Sequence, residues 1–392
     1  MARTTGPFRL KTGSLPLLAT VLTLALSSHA VAATPPPAAP AHLQTQPVPA
    51  APLSWAEQVE QLKAELRHDP DLSAAWVARV LDSASRNARV HRLMTPSSSS
   101  ASYASTAPDW QEYRQRLVTQ ERINAGVQFW NQHRQTLQQA SEATGVPAEV
   151  IVGIIGIETS YGRNTGNIRV LDALATLAFD YPQSHPRAAE RADYFRRELG
   201  HFLRLSQQNR LDPLSLRGSF AGAMGIPQFM PSSWMTYGVD FDRNGQTDLI
   251  GSTADAIGSV GNYLQAHGWK RGQPAWQAVS LEKVNAAHLE TLLQPDILPT
   301  FSAAQLRDMG VQTGADSRPL QPGTASNAAS TTGTPPGNLF ALVKLRNGDR
   351  APQYILGTEN FYAITRYNQS SYYAMAVLEL GASVARQATA TR

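Results

Sequence analysis

The sequence predicts a mainly helical α+β protein with few short strands. Three observations predict it: successive segments carry apolar residues at helical spacing, one central run is apolar on every side, and only two short stretches near the C-terminus read as strands. No internal repeat is visible. At 392 residues the chain can form two or three domains or one multi-lobed one.

Residues 1–32 read as a signal peptide. Arg3, Arg9 and Lys11 precede a short apolar stretch at 15–26, and Ala30-Val31-Ala32 offers a small-residue cleavage site before Ala33. Removing it lowers the formal charge from +4 to +1, so charge gives no case for nucleic acid binding. The absence of cysteine excludes disulfides, thiolate metal sites, a cysteine nucleophile and an acylated cysteine anchor. A soluble exported protein without a stable membrane anchor is expected.

Residues 33–53 form a Pro- and Ala-rich linker. An N-terminal helical region is expected over 54–145. Ser54 and Glu57 have capping-box spacing ahead of the face Trp55, Val59, Leu62 and Leu66, and His68-Asp69-Pro70 stops that helix. A second helix is expected over 72–84, a Ser-rich loop over 97–105, and one longer helical region over 110–141 with Tyr113, Leu117, Ile123, Val127, Trp130 and Leu137 inward.

The central run V-P-A-E-V-I-V-G-I-I-G-I-E-T-S-Y, residues 146–161, follows Gly145. Pro147 suits a helix start, and Val150, Ile151, Val152, Ile154, Ile155 and Ile157 leave almost no polar face, which marks a buried helix. Gly153 and Gly156 admit the close approach of another backbone. Glu158 closes the run. A carboxylate there is either a structural partner of an arginine or of backbone N–H groups, or a general acid whose apolar surroundings hold its proton near neutral pH.

Beyond it, 171–179 gives another buried helix. Residues 186–208 are amphipathic, with Phe195, Leu199, Phe202 and Leu203 inward and an arginine row of Arg187, Arg191, Arg197 and Arg204 largely outward. The small residues and prolines of 218–234 suit the lining of a groove better than a continuous helix. A helix resumes at 255–264. A peripheral segment at 276–313 and a disordered low-complexity insertion at 314–337 follow. Strands are expected at 339–345 and 353–356, then a Tyr-rich helical segment at 361–380 within a C-terminal segment, 338–381, and a tail, 382–392.

Asp240, Asp242 and Asn244 alternate ahead of Gly245, Gln246 and Asp248, an EF-hand-like opening. Gly251 stands where a bidentate Glu is usual, and Asp255 can supply the missing carboxylate from the next helix. The loop reads as a structural Ca²⁺ site or as an Asx-rich turn without an ion.

Together these stretches resemble the lytic murein transglycosylase B family. The likeness rests on I-I-G-I-E-T-S-Y-G at 154–162, V-L-D-A-L-A-T-L-A-F-D-Y-P at 170–182, G-S-F-A-G-A-M-G-I-P-Q-F-M-P-S-S at 218–233, D-A-I-G-S-V-G-N-Y at 255–263 and N-F-Y-A-I-T-R-Y-N at 360–368. The resemblance implies a periplasmic enzyme with a lysozyme-like catalytic core over 146–275, an additional helical lobe, and a C-terminal segment completing the cleft. It implies that Glu158 is the sole catalytic carboxylate and that Ser219 holds the substrate N-acetyl group. It puts Gln228 and Asn368 on the cleft lining, Tyr263, Tyr367 and Tyr373 on its aromatic wall, and Arg191 and Tyr194 near glycan or stem peptide. In the family an arginine pair follows the Tyr-Pro directly; here residues 183–190 intervene and Glu190 precedes Arg191.

The implied reaction is non-hydrolytic cleavage of the β-1,4 bond between N-acetylmuramic acid and N-acetylglucosamine in peptidoglycan. It gives 1,6-anhydromuramyl ends, needs no catalytic cofactor, and carries Ca²⁺ only as a structural ion. Glycan strands are the expected partner, with cell-wall synthesis or remodelling proteins beside them and a monomer as the expected state. The alternatives are a hydrolytic muramidase on the same core and, in another class, a non-catalytic peptidoglycan-binding protein.

Overall fold

Local signals set the first helices in the computed structural model of the protein, which describes residues 53–95, 109–313 and 338–390. The expected signal peptide, all but the last residue of the linker, the Ser-rich loop and the insertion at 314–337 lie outside the described residues. Helix α1 (Trp55–Leu66) opens on the expected capping box: the Ser54 hydroxyl accepts from the Glu57 N–H, and the Glu57 carboxylate accepts from the Ser54 N–H at 2.7 Å. Helix α2 (Ala74–Asp82) follows. Helix α3 (Ala88–Met94), which sequence reading missed, starts where the Asn87 side chain accepts from Arg89 and Val90 N–H.

The longer helical region expected over 110–141 consists of three helices, α4 (Trp110–Leu117), α5 (Gln120–Gln132) and α6 (Arg134–Thr144). Thr119 causes the first break by capping α5 through the Arg122 N–H, and His133 leaves helical geometry at φ −113°. Gly145, at φ 76°, closes α6 in the left-handed region that glycine enters without strain.

Helix α7 (Ala148–Thr159) is the centre of the molecule, with every residue from Val150 to Ile157 buried. Strand β1 (Ile168–Arg169) leads into the buried helix α8 (Val170–Phe179) and pairs with β2 (Arg217–Gly218) beyond the long helix α9 (Ala188–Gln208). Helices α10 (Pro231–Tyr237) and α11 (Thr253–Ala266) flank the acidic loop.

The arginine row of α9 is not a free basic surface. Arg187 pairs with Glu190, Arg197 with Asp193, Arg196 with Glu65 and Arg204 with Asp69. Arg191, expected outward, is buried.

The C-terminal half adds an antiparallel five-stranded sheet in the order β4-β6-β7-β3-β5, from β3 (Trp276–Ser280), β4 (Phe301–Ser302), β5 (Gln312–Thr313), β6 (Leu339–Asn347) and β7 (Arg350–Gly357). Both expected strands are present, and the peripheral segment supplies three more. Alternation along β6 and β7 divides the sheet's faces. Val343, Leu345 and Ile355 join the main core, while Phe340, Leu342 and Leu356 pack under α12 (Ala286–Leu293) and α13 (Ala303–Asp308).

The Tyr-rich segment is two helices, α14 (Glu359–Tyr367) and α15 (Ser371–Ala390), because Asn368 turns extended at φ −148°. Helix α15 runs through the stretch expected as a tail, with Val384, Ala385 and Ala388 buried. Antiparallel to α7, it crosses at glycines: a Cβ on Gly153 would overlap the Val377 carbonyl, and one on Gly381 the Glu149 carbonyl. Gly156 instead faces the Tyr161 ring and Leu380.

Backbone cannot yield as a side chain can. Gly153→Ala gains roughly 1 kcal/mol of helix propensity, yet overpacking typically costs about 1–3 kcal/mol. The expected result is net destabilisation, with a lower denaturation midpoint in chemical unfolding.

Candidate active site

The buried end of α7 opens into a cleft of about 590 Å³ whose walls come from distant parts of the chain. Glu158 is the one carboxylate among the described residues lining it. The carboxyl is partly buried at the end of the apolar helix, and burial raises its pKa to about 7. The Tyr373 hydroxyl donates to Oε1 at 2.6 Å, which favours the ionised form and lowers the pKa in part. Among the described residues no arginine is bonded to Glu158, so the structural ion-pair reading of this residue has no support in its contacts.

The chain after Glu158 is sharply turned. Ser160 (φ 49°), Tyr161 (φ 65°) and Gly162 (φ 82°) are all left-handed, a conformation that side-chain-bearing residues enter at a cost. Neighbours enforce it. The Thr159 hydroxyl donates to the Ile226 carbonyl at 2.8 Å and accepts from the Gly162 N–H at 2.9 Å. The Tyr161 ring packs against Phe129, with its hydroxyl in the space left by Gly126 and Gly156.

The opposite wall is the small-residue run after β2. Ser219 is buried, and its Oγ accepts from the Ala221 and Ala223 N–H groups at 3.3 and 3.0 Å, leaving the hydroxyl proton able to point into the cleft. Gln228 is left-handed at φ 52° and donates its amide to the Thr165 and Gly225 carbonyls, so it braces two loops while lining the cleft. Asn368 is buried on the lining at the end of α14.

Tyrosines form the remaining wall. Tyr263 meets Tyr367 edge-on at 4.8 Å, and Tyr367 stacks on Tyr373 at 6.3 Å. Their hydroxyls are committed: Tyr263 donates to the Arg366 carbonyl at 2.7 Å and Tyr367 to the Pro227 carbonyl at 2.5 Å. Tyr194 also lines the cleft and bonds Glu198, whose carboxylate holds the Ser232 N–H and hydroxyl at the start of α10.

Eight of the nine residues expected at the site therefore share one cleft. Arg191 does not. It lies off the lining, hydrogen-bonded to Tyr181. Sequence reading missed Arg89 and Leu93, which reach the cleft from the unexpected helix α3, and Arg163 and Arg366. The last two lie within or beside the quoted motifs, where a cation facing the carboxylate's cleft was a legible signal.

In the acidic loop, carboxylate oxygens of Asp240, Asp242 and Asp255 lie within 4.8 Å of one another. Asp240 accepts from Asn244 and Gly245 N–H, and Asn244 from Gln246 N–H, which curls the loop around them. Asp255, fully buried, accepts from the N–H groups of Phe241, Asp242 and Asp248. Asp248 is turned to cap Ile250 and Gly251 N–H and stands outside the three-carboxylate group. Three converging carboxylates fit a hard cation with oxygen ligands.

A family model described as "Transglycosylase SLT domain" matches residues 54–382. The membrane-bound lytic murein transglycosylase B of Escherichia coli (strain K12) is 42% identical over 310 residues, 78% of this chain and 76% of that protein. The crystal structure of the soluble lytic transglycosylase SltB1 from Pseudomonas aeruginosa is similar at 38% identity and a TM-score of 0.69, covering 84% of this chain and 99% of that one. Escherichia coli SLT35 in complex with calcium is similar at 37% identity and a TM-score of 0.68, covering 85% and 94%.

The raised pKa has a thermodynamic sign. Between about pH 4.5 and 7 the unfolded chain has lost the Glu158 proton while the folded chain keeps it, so its contribution to stability falls as pH rises through this window. Glu158→Gln removes that loss. It should stabilise the fold at pH 8 by roughly 1–3 kcal/mol, with the gain vanishing toward pH 4.5, as read by urea denaturation across pH.

Proposed function

The chain belongs to the transglycosylase SLT domain family, the lytic enzymes that cleave peptidoglycan without hydrolysis, and we propose that Glu158 alone carries both proton transfers of that reaction here. The observation that supports this most is a single cleft carboxylate, poised near neutral pH and free of any cationic partner. Most glycosidases need two carboxylates. One is enough when the substrate supplies its own nucleophile.

In this reading the protonated Glu158 donates to the glycosidic oxygen leaving C1 of N-acetylmuramic acid. The 2-acetamido carbonyl of the same sugar attacks C1 as that bond breaks. The Ser219 hydroxyl proton, left over by its two backbone bonds, holds the acetamido group in line. The Glu158 carboxylate then takes the proton from the C6 hydroxyl, whose oxygen closes onto C1 and displaces the acetamido oxygen. The product is a 1,6-anhydro end, and the carboxyl regains the proton it gave. Tyr373 steadies the anion between the two steps, while Tyr263, Tyr367, Tyr194, Gln228 and Asn368 shape the sugar subsites.

The loop at 240–255 is proposed to bind Ca²⁺ through Asp240, Asp242 and Asp255, with Asn244 and Gln246 completing the ring; the relative solved with calcium supports the choice of ion. Its role is to tie α10 to α11, away from the reaction. Export, cleavage before Ala33 and a soluble periplasmic enzyme are proposed from residues 1–32 and the lack of cysteine. Among the described residues no single helix is long and apolar enough to cross a membrane.

Muropeptides from purified sacculi should carry anhydro ends by mass spectrometry; reducing ends would identify a hydrolase instead. Glu158→Gln should lose more than the ~10²–10⁴ typical of one acid–base step, while melting at or above the wild-type temperature. Near-normal turnover would remove Glu158 from the mechanism. The wild-type kcat/KM should fall above about pH 7, as the donor ionises.

Ca²⁺ should raise the melting temperature, by the equivalent of about 2.7 kcal/mol at a hundredfold excess over Kd, and Asp240→Asn should abolish the response.

A further inference from the structure

We propose that Arg89, with Leu93 beside it on α3, recognises the stem peptide of the substrate strand, so that the N-terminal lobe selects peptide-bearing over naked glycan. This rests on the reading of the cleft as a peptidoglycan site. The cleft is lined by three arginines, Arg89, Arg163 and Arg366, against one carboxylate. The glycan backbone offers these cations no charge, because the lactyl carboxyl of muramic acid is consumed in the amide to the peptide. Carboxylates on a peptidoglycan strand belong to the stem peptide.

The three cations are not equivalent. Arg366 lies over the Tyr362 ring at 4.2 Å, and Arg163 reaches Gln128 at 3.3 Å. Arg89 is exposed, and no ion pair or hydrogen bond engages its guanidinium among the described residues. Leu93 is spaced i+4 from it, lies on the same face, and is 42% exposed on the cleft wall. A free guanidinium next to an uncovered aliphatic side chain fits a peptide that presents a carboxylate beside apolar groups.

The platform is firm. Val90 and Met94 are buried, and the Asn87 N–H donates to the Thr176 hydroxyl of α8 at 2.9 Å. Arg191, which the family resemblance put near glycan or stem peptide, is buried off the cleft against Tyr181, so α3 supplies the cation that α9 withholds.

The test compares kcat/KM on peptide-bearing glycan strands with the same strands stripped of peptide by an amidase, the lactyl carboxyl that the amidase frees being then capped as its methyl amide so that the control strand carries no carboxylate. Wild type should prefer the peptide-bearing strands, and the preference should shrink as salt rises from roughly 0.05 to 0.5 M. Arg89→Ala should cut the preference about threefold to tenfold, through KM on the peptide-bearing strands rather than kcat. Arg89→Glu should cut it further, and Arg89→Lys should restore part of it. An unchanged preference in Arg89→Ala, or an equal loss on both substrates, would overturn the proposal while leaving the function intact. Failure of wild type to release anhydro products from either substrate would overturn both.

Discussion

The crossing of α7 and α15 is the constraint on which the rest depends. The two helices touch backbone to backbone at Gly381–Glu149 and again at Gly153–Val377, one turn apart on each helix. The next rung of the same antiparallel ladder is not a glycine contact but the hydrogen bond from Tyr373 to Glu158. The proton-donating carboxyl and the group that tunes it are thus held in register by packing one and two turns away. Side-chain packing alone would leave them free to shift, since side chains can change rotamer while two backbones in contact cannot. Neighbouring helices and strand β6 pack around this pair.

Much of this was legible in the sequence, for identifiable reasons. A glutamate that closes the buried apolar run from Val150 to Ile157 is costly to bury, which singles out Glu158 before any contact is known. The capping box at Ser54 and the alternating acids at 240–244 are local patterns that report local structure. The breaks at Thr119, His133 and Asn368 were not read, because helical periodicity carries across a one-residue interruption. Helix α3 was missed since seven residues are too few to establish a period, and the cleft residues Arg89 and Leu93 went with it. Arg191 misled for the converse reason. Its spacing put it on the outward row of α9, and only tertiary packing against Tyr181 turned it inward.

Charge is distributed with the same economy. Along α9, four arginines are each matched by a carboxylate, so the longest basic run of the chain presents little net field. The cleft keeps its arginines apart from any such partner, and in the acidic loop no ion pair among the described residues engages Asp240, Asp242 or Asp255. Ion-paired surface charges contribute about 0–1 kcal/mol each, whereas unmatched ones project a field that a ligand can use. The two unmatched sites are therefore where a ligand is to be sought, one for anions and one for a cation.

The left-handed turn at Ser160 and Tyr161 bears on how the protein can be improved by engineering. Glycine at Ser160 would relieve backbone strain in the folded chain, while also widening the conformational freedom of the unfolded one. More important, it would loosen the joint immediately beyond the carboxylate. A screen for heat resistance would sample this position and gain degrees of melting temperature from some substitutions, with turnover declining in the same variants. Robustness is better sought in parts of the molecule remote from that joint, such as the sheet packed under α12 and α13, where a firmer core does not alter where Glu158 stands.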